Sequence, residues 1–524
     1  MAAKFMAAGT TSFIAVLRGI AGHSPDRRFA AFRFLLLLGA GIGATGSAFA
    51  IGMGTQEARH LLVRTTFGLT VQRVREFSFL THEQAVSRLL SEGNPDALKP
   101  PPAWVEEPVT PFRTFRNATA EERRRLQDRD IRRGLELRAW WVGEMLDSPS
   151  QLNERMTLFW HGHFTSSQQK VRMIQLMYRQ NQLLRKHATG NFSELLHEVS
   201  KDPAMLVYLD SASNRRGRPN ENFAREVMEL FTLGEGNYGE TDIREAARAF
   251  TGWSIEPDTG GYLWRAPAHD AGDKTVLGKT GNFDGDAVLD ILLSQPRTAE
   301  YIVEKLWREF ISQRPDAGEV QRIAAVFRAS RYDIKTALRE LLGSGAFWAI
   351  ENRGNMVKSP ADLVVGTLRQ FEIPVGDPTP LALLMAALGQ NLFSPPNVKG
   401  WPGGTRWVNS TTLLTRKQFV DRLFRTDDSP PDQVADRRSL NDFAAGTGAA
   451  RLSTEERERL AKSIAGMRFD SEKWLAYFPV TLAGDGETVR RIVLAGEPAG
   501  GLPAMMANRE LVRLLALDPV FQLK

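Results

Sequence analysis

The stretch SPSQLNERMTLFWHGHF, residues 148–164, holds a helix start, a helix body and a helix end in one reading. Ser148 offers an N-cap, Pro149 suits the first helical position, and Gln151 can reach back to exposed amides. Leu152, Met156, Phe159 and Trp160 then recur at i, i+4, i+7 and i+8, a stripe that faces a core. Similar starts stand at Thr81-His82-Glu83-Gln84, Thr119-Ala120-Glu121-Glu122 and Asp242-Ile243-Arg244-Glu245. Helical periodicity also runs through 171–185, 223–233, 299–311, 319–328, 333–342, 360–371, 380–388 and 412–424. The fold class this predicts is mainly α, a large multi-helix, bundle-like domain. Its interruptions are a proline-rich connection over 99–110, a small β-hairpin insertion, and the irregular Pro/Gly-rich loop SPPNVKGWPGG at 394–404. The hairpin pairs Gly261-Tyr262-Leu263-Trp264 with Lys274-Thr275-Val276-Leu277-Gly278 and carries His269-Asp270 between its strands.

The first fifty residues read as an export signal. Arg27, Arg28 and Arg33 precede the apolar run Phe34-Leu35-Leu36-Leu37-Leu38, and Ala48-Phe49-Ala50 is a small-residue cleavage pattern. The expected organisation is a removed signal over 1–50, a helical core over 51–425, a polar linker over 426–449 and a C-terminal portion over 450–524 that packs on the core. The run is short and glycine-rich, so no permanent membrane span is expected, and the destination is the periplasm or the exterior of a bacterium. Four of the six net positive charges of the 524-residue chain sit in that leader, which removes the footing for a nucleic-acid partner. Gly41-Ile42-Gly43-Ala44-Thr45-Gly46 matches a dinucleotide fingerprint but lies in the signal's apolar segment, so no nucleotide is expected. With no cysteine in the chain, disulfides, c-type haem, iron–sulfur clusters and thiolate chemistry are excluded together. Any metal must be held by nitrogen and oxygen.

Eight motifs then occur in order: HLLVRTTFG (60–68), WHGHFTSS (160–167), HATGNF (187–192), DPAMLVYLD (202–210), NENFAREVMELFTLGEGNY (220–238), AARAFTGW (246–253), HDAGDKTVLG (269–278) and SPPNVKGWPGG (394–404). In this wording the chain resembles the bacterial family known as domain of unknown function 1800. The resemblance implies an exported, mainly helical protein, often encoded beside another exported protein family. It implies no reaction, so chemistry has to come from the side chains.

Two readings of those side chains stand open. On a continuous helix His161 and His163 point about 200° apart, but a helix ending at Gly162 lets them converge. Glu226 and Glu229 share a stripe of the 220–234 helix with Asn222 and Arg225, and Asn220 flanks its start. Together with His269 these residues make a candidate ligand set of His161, His163, Glu226, Glu229 and His269. Such a set suits a divalent metal, zinc, iron or manganese, with Glu226, Glu229, His269 or Asp270 as acid–base groups. Asn220, Asn222, Arg225, Lys274 and Trp401 are candidate contacts to substrate or partner. The opposing reading makes the carboxylates a solvated face, His161 a helix cap, His163 a packed ring and Asp270 part of a turn. His60 and His187 read as structural. The mature chain has no HExxH, G-x-S-x-G or Walker A motif. The expected function is a metal-dependent enzyme acting on an envelope or extracellular substrate, of hydrolase type by first choice, with oxidoreductase chemistry open because the ligand types overlap. The alternative is a non-catalytic protein that binds a co-exported protein or an envelope polymer through the Trp401 loop and the proline-rich segment.

Overall fold

The computed structural model describes residues 52–111, 114, 117–424, 453–478, 486–501 and 508–524; the expected signal and linker lie outside them. The chain is mainly α. Capping boxes form at Thr81 and Thr119 as their sequences predict, starting His82–Ser91 and Ala120–Asp147. The helix Gln151–His163 starts differently. Its N-cap is Ser150, whose hydroxyl donates to the Glu92 carbonyl at 2.7 Å instead of capping. The Gln151 amide turns back to the Met145 and Ser148 carbonyls and accepts from the Phe67 amide. The residues read as a cap therefore tie this helix to its neighbours. At the fourth start the helix is Glu240–Ala249, with Gly239 as N-cap donating to Asp242.

Helix packing gives one continuous core in which Trp141, Trp160, Phe164 and Phe192 are completely buried. The exposed first half of Ala120–Asp147 gives way to buried turns from Gly134 onward, which meet Thr379–Ala387. The described residues beyond 453 pack on this body. Trp474 donates to the Gln370 carbonyl at 2.8 Å, Arg59 donates to the Ile492 carbonyl at 3.0 Å, and Val357 bridges Leu523.

The β insertion departs from its predicted pairing. Trp253–Ile255 pairs with Tyr262–Trp264, and Lys274–Val276 pairs with Lys279–Gly281, so His269-Asp270 joins two hairpins instead of two strands of one. The cause is local. Leu277 and Gly278 both adopt positive φ, 47° and 77°, the two-residue turn that matches strand twist. Leucine seldom takes that conformation, so the sequence reads it as strand.

Near the middle of the chain, Asn222–Glu226 is α-helical and Val227–Thr232 winds into a π-helix, with the Leu233 amide bonded to the Met228 carbonyl. Such wide turns are rare and concentrate at functional positions. Among the described residues no helix is long and apolar enough to cross a membrane.

Candidate functional site

The helix Gln151–His163 does not kink at Gly162; it runs through it, so the two imidazoles diverge. What Gly162 provides is a flat surface. The loop containing Gly400 crosses so closely that a Cβ on Gly400 would lie 2.4 Å from the Gly162 carbonyl oxygen, and Gly400 has φ +81°. Trp401 covers the spot where a Gly162 side chain would sit. The motifs WHGHF and KGWPGG thus form one wall.

His161 lies on the inner side of that wall, fully buried against Trp141, Phe393 and Trp401 at ring separations of 5.4, 5.3 and 5.6 Å. Burial pushes its pKa down to about 3, and among the described residues neither ring nitrogen has a hydrogen-bond partner. His163 packs against Trp160 and Phe164 and places Nε2 3.1 Å from the Phe231 carbonyl. A carbonyl only accepts, so Nε2 carries the proton and Nδ1 is a bare acceptor. Burial, reinforced by nearby Lys305, holds this ring neutral.

The π-helix explains why His163 finds that carbonyl. Carbonyls at a helix end lack intrahelical donors. Here Lys305 lies 3.4 Å from the Leu230 oxygen, His163 holds Phe231, and Arg297 donates to Leu233 at 3.1 Å. On the same segment Glu229 accepts from the Tyr238 hydroxyl at 2.9 Å and faces the Lys399 ammonium at 3.7 Å. Burial, then the Glu229 charge, raises the pKa of half-buried Glu226.

Between these elements lies a cleft of about 290 Å³ lined by His163, Lys305, Arg308, Lys399, Trp401 and Trp407. Its floor is a closed charge cluster. Arg155 pairs with Asp362 at 2.7 Å and Glu309 at 2.8 Å, while Lys524 pairs with Asp362 at 2.6 Å. Burial pushes the Asp362 carboxyl up, but Arg155 and Lys524 outweigh it and hold the group well below the usual carboxylate range. Asp362 also completes a capping box with Ser359. The wall is unlike the floor. Among the described residues Lys305 has no carboxylate within 4 Å; its ammonium sits over the Tyr301 ring at 4.9 Å. Burial, then Arg308, pushes the Lys305 pKa down to about 8.

The remaining candidates are engaged elsewhere. His269 Nδ1 lies 2.9 Å from the Thr251 carbonyl, and its ring packs on Trp264. Asp270 is paired with Arg248 at 2.8 Å, which draws its pKa down to about 2, and buried Lys274 donates to the Asp270 carbonyl. Arg225 grips both oxygens of Glu240, and Asn220 braces the start of its helix by bonding to Asp210 and, through Oδ1, to the Asn222 amide. Among the described residues no three His, Asp or Glu side chains are grouped to hold a metal ion. Of the candidates, His163 and Trp401 line the cleft, and Glu229 reaches its rim through Lys399. Sequence reading missed Lys305, Arg308 and the Arg155 cluster, whereas Trp407 is legible as the aromatic companion of the Trp401 loop. Lys399 was visible inside the KGWPGG motif, whereas Lys305 and Arg308 look like the solvated face of an ordinary helix.

The family described as "Protein of unknown function (DUF1800)" matches residues 60–523. Neither a curated protein nor a solved structure matches the chain. The match takes in the cleft wall, the π-helix and all of the floor except Lys524, and with that coverage the chain belongs to this family.

Proposed function

We propose that the protein is an exported binding protein whose cleft takes an acidic sugar unit of an envelope polymer. The carrying observation is the Lys305 ammonium, which lines the cleft without a carboxylate partner among the described residues while both acids of the floor, Glu309 and Asp362, are already paired. Removing a cation from water without an anion is unfavourable, and a ligand carboxylate or phosphate reverses that penalty. Arg308 stands on the same helix one turn away, its closest acid Glu304 at 3.5 Å. Trp401 and Trp407 supply the apolar ring surface on which a sugar face can stack. The cleft volume suits one or two sugar units rather than a folded partner.

Calorimetric titration with short uronic-acid oligomers and their neutral counterparts tests this. The acidic series is expected to bind, and Lys305→Met and Arg308→Met to weaken it by about tenfold or more each. Equal binding of neutral oligomers, or none of either, overturns the proposal. One observation favours a metal-dependent reading: Nδ1 of His163 is a buried, unpartnered acceptor on a cleft-lining residue. Stoichiometric metal in the purified protein, lost in His163→Ala, selects that reading over the one proposed.

A further inference from the structure

A second surface carries its own argument, independent of the cleft. Residues Arg215-Arg216-Gly217-Arg218 make a tight turn in which Arg215 and Arg218 bridge each other and Gly217 takes φ +78°. The turn is fixed to the aromatic hairpin: the Arg216 amide donates to the Ala268 carbonyl at 2.7 Å, and the Arg265 amide to the Gly252 carbonyl at 2.8 Å. Arg215, Arg216, Arg218 and Arg265 are all exposed, and among the described residues none of their guanidiniums has a carboxylate within 4 Å. Three neighbouring acids are engaged, Asp210 with Lys170 at 2.7 Å, Asp270 with Arg248 at 2.8 Å and Asp286 with Lys201 at 2.7 Å. On the same hairpin Tyr262 and Trp264, two residues apart and so on one face of their strand, are 37% and 41% exposed. Large aromatic rings seldom stay that open beside four unpaired cations without a reason in recognition.

We propose that this arginine turn and its aromatic hairpin dock the protein on an anionic phospholipid surface. Guanidiniums only donate, and a cluster of four with no carboxylate within 4 Å among the described residues matches phosphate oxygens, which only accept. A neutral sugar needs both donors and acceptors. Half-exposed Tyr and Trp rings fit the headgroup layer, where an apolar ring and a polar edge are satisfied together. Each basic residue near an anionic bilayer contributes about 1 kcal/mol, so loss of all four is expected to weaken binding on the order of a hundredfold or more.

The chain has no cysteine, so an environment-sensitive fluorophore on Tyr262→Cys reports from the hairpin alone, whatever the leader does. The full chain is mixed with vesicles of equimolar phosphatidylglycerol and phosphatidylcholine, or of phosphatidylcholine alone. A blue shift on the anionic vesicles only, lost at high salt and in the Arg215/Arg216/Arg218/Arg265→Gln variant, supports docking. A single Arg216→Gln, expected to weaken binding roughly fivefold, serves if the fourfold variant misfolds. No shift on anionic vesicles, an equal shift on both, or a shift unchanged by the arginine substitutions overturns it. So does a stronger response to soluble polygalacturonate than to the vesicles, which would make the partner an acidic polymer.

Discussion

Beneath the cleft, Arg155, Asp362, Glu309 and Lys524 neutralise one another at 2.6–2.8 Å; on its wall, among the described residues, Lys305 has no carboxylate within 4 Å and Arg308 only a loose one, Glu304 at 3.5 Å. The same residue types serve opposite ends. In the floor, buried charge is matched within the chain and fixes how three distant segments meet, since Arg155, Asp362 and Lys524 come from separate parts of the sequence. In the wall, on the reading proposed above, charge is left for a ligand. The difference teaches that a buried ion pair here is explained by architecture, whereas the unpaired cation is what the proposed ligand has to explain.

The floor should be the most sensitive point. Asp362→Ala strands the buried Lys524 ammonium and leaves Arg155 with Glu309 alone, and removal of one partner from a buried pair costs about 3–5 kcal/mol. Chemical denaturation is expected to show that loss; a change under about 1 kcal/mol would mean that water already screens the cluster. Next comes the contact that joins wall to helix. Gly400→Ala puts a methyl against the Gly162 carbonyl in a backbone conformation that disfavours side chains, with an expected cost of about 1–3 kcal/mol. If Trp401 shapes the cleft, ligand affinity falls with stability in that variant.

Lys305→Met sharpens the contrast because its two readouts should separate: the melting temperature stays level or rises, while acidic ligand is lost. The pH dependence has a definite sign. A lysine with its folded-state pKa lowered to about 8 binds fewer protons when folded than when unfolded, so stability rises with pH from about 8 toward its ordinary value near 10.5. Ligand affinity moves the other way, falling as pH passes 8 and the ammonium is lost. Wild type and Lys305→Met titrated in parallel isolate both effects.

The helical framework was legible because local chemistry decided it. Thr81 and Thr119 cap as their sequences say, and stripes such as Leu152, Met156 and Trp160 are buried where their spacing puts them. The hairpins were half legible: Leu277 enters a turn that only its partnership with Gly278 allows. The site was least legible. Whether Lys305 faces water or a cleft depends on the π-helix, whose carbonyls draw Lys305 and His163 inward, and no sequence period distinguishes that wide turn from the α-helix before it. His161 and His163 looked like a pair because they are neighbours in sequence; a helix passing through Gly162 separates them.

That separation makes the smallest and most discriminating prediction. His161→Phe replaces a ring with two unpartnered nitrogens inside an aromatic cluster, so its stability near neutrality should change by less than about 1 kcal/mol in either direction. His163→Phe loses the donor to the Phe231 carbonyl and should cost about 1–2 kcal/mol. Acid sharpens the difference. His161 stays neutral in the folded protein down to about pH 3 but takes a proton in the unfolded chain below about 6.5, so it subtracts stability progressively as pH falls through that window. His161→Phe should therefore flatten the stability profile between pH 6.5 and 3 while leaving the neutral plateau in place. An unchanged acid slope would mean that His161 is protonated when folded, and hence that an anion or a water chain reaches the inner side of the wall.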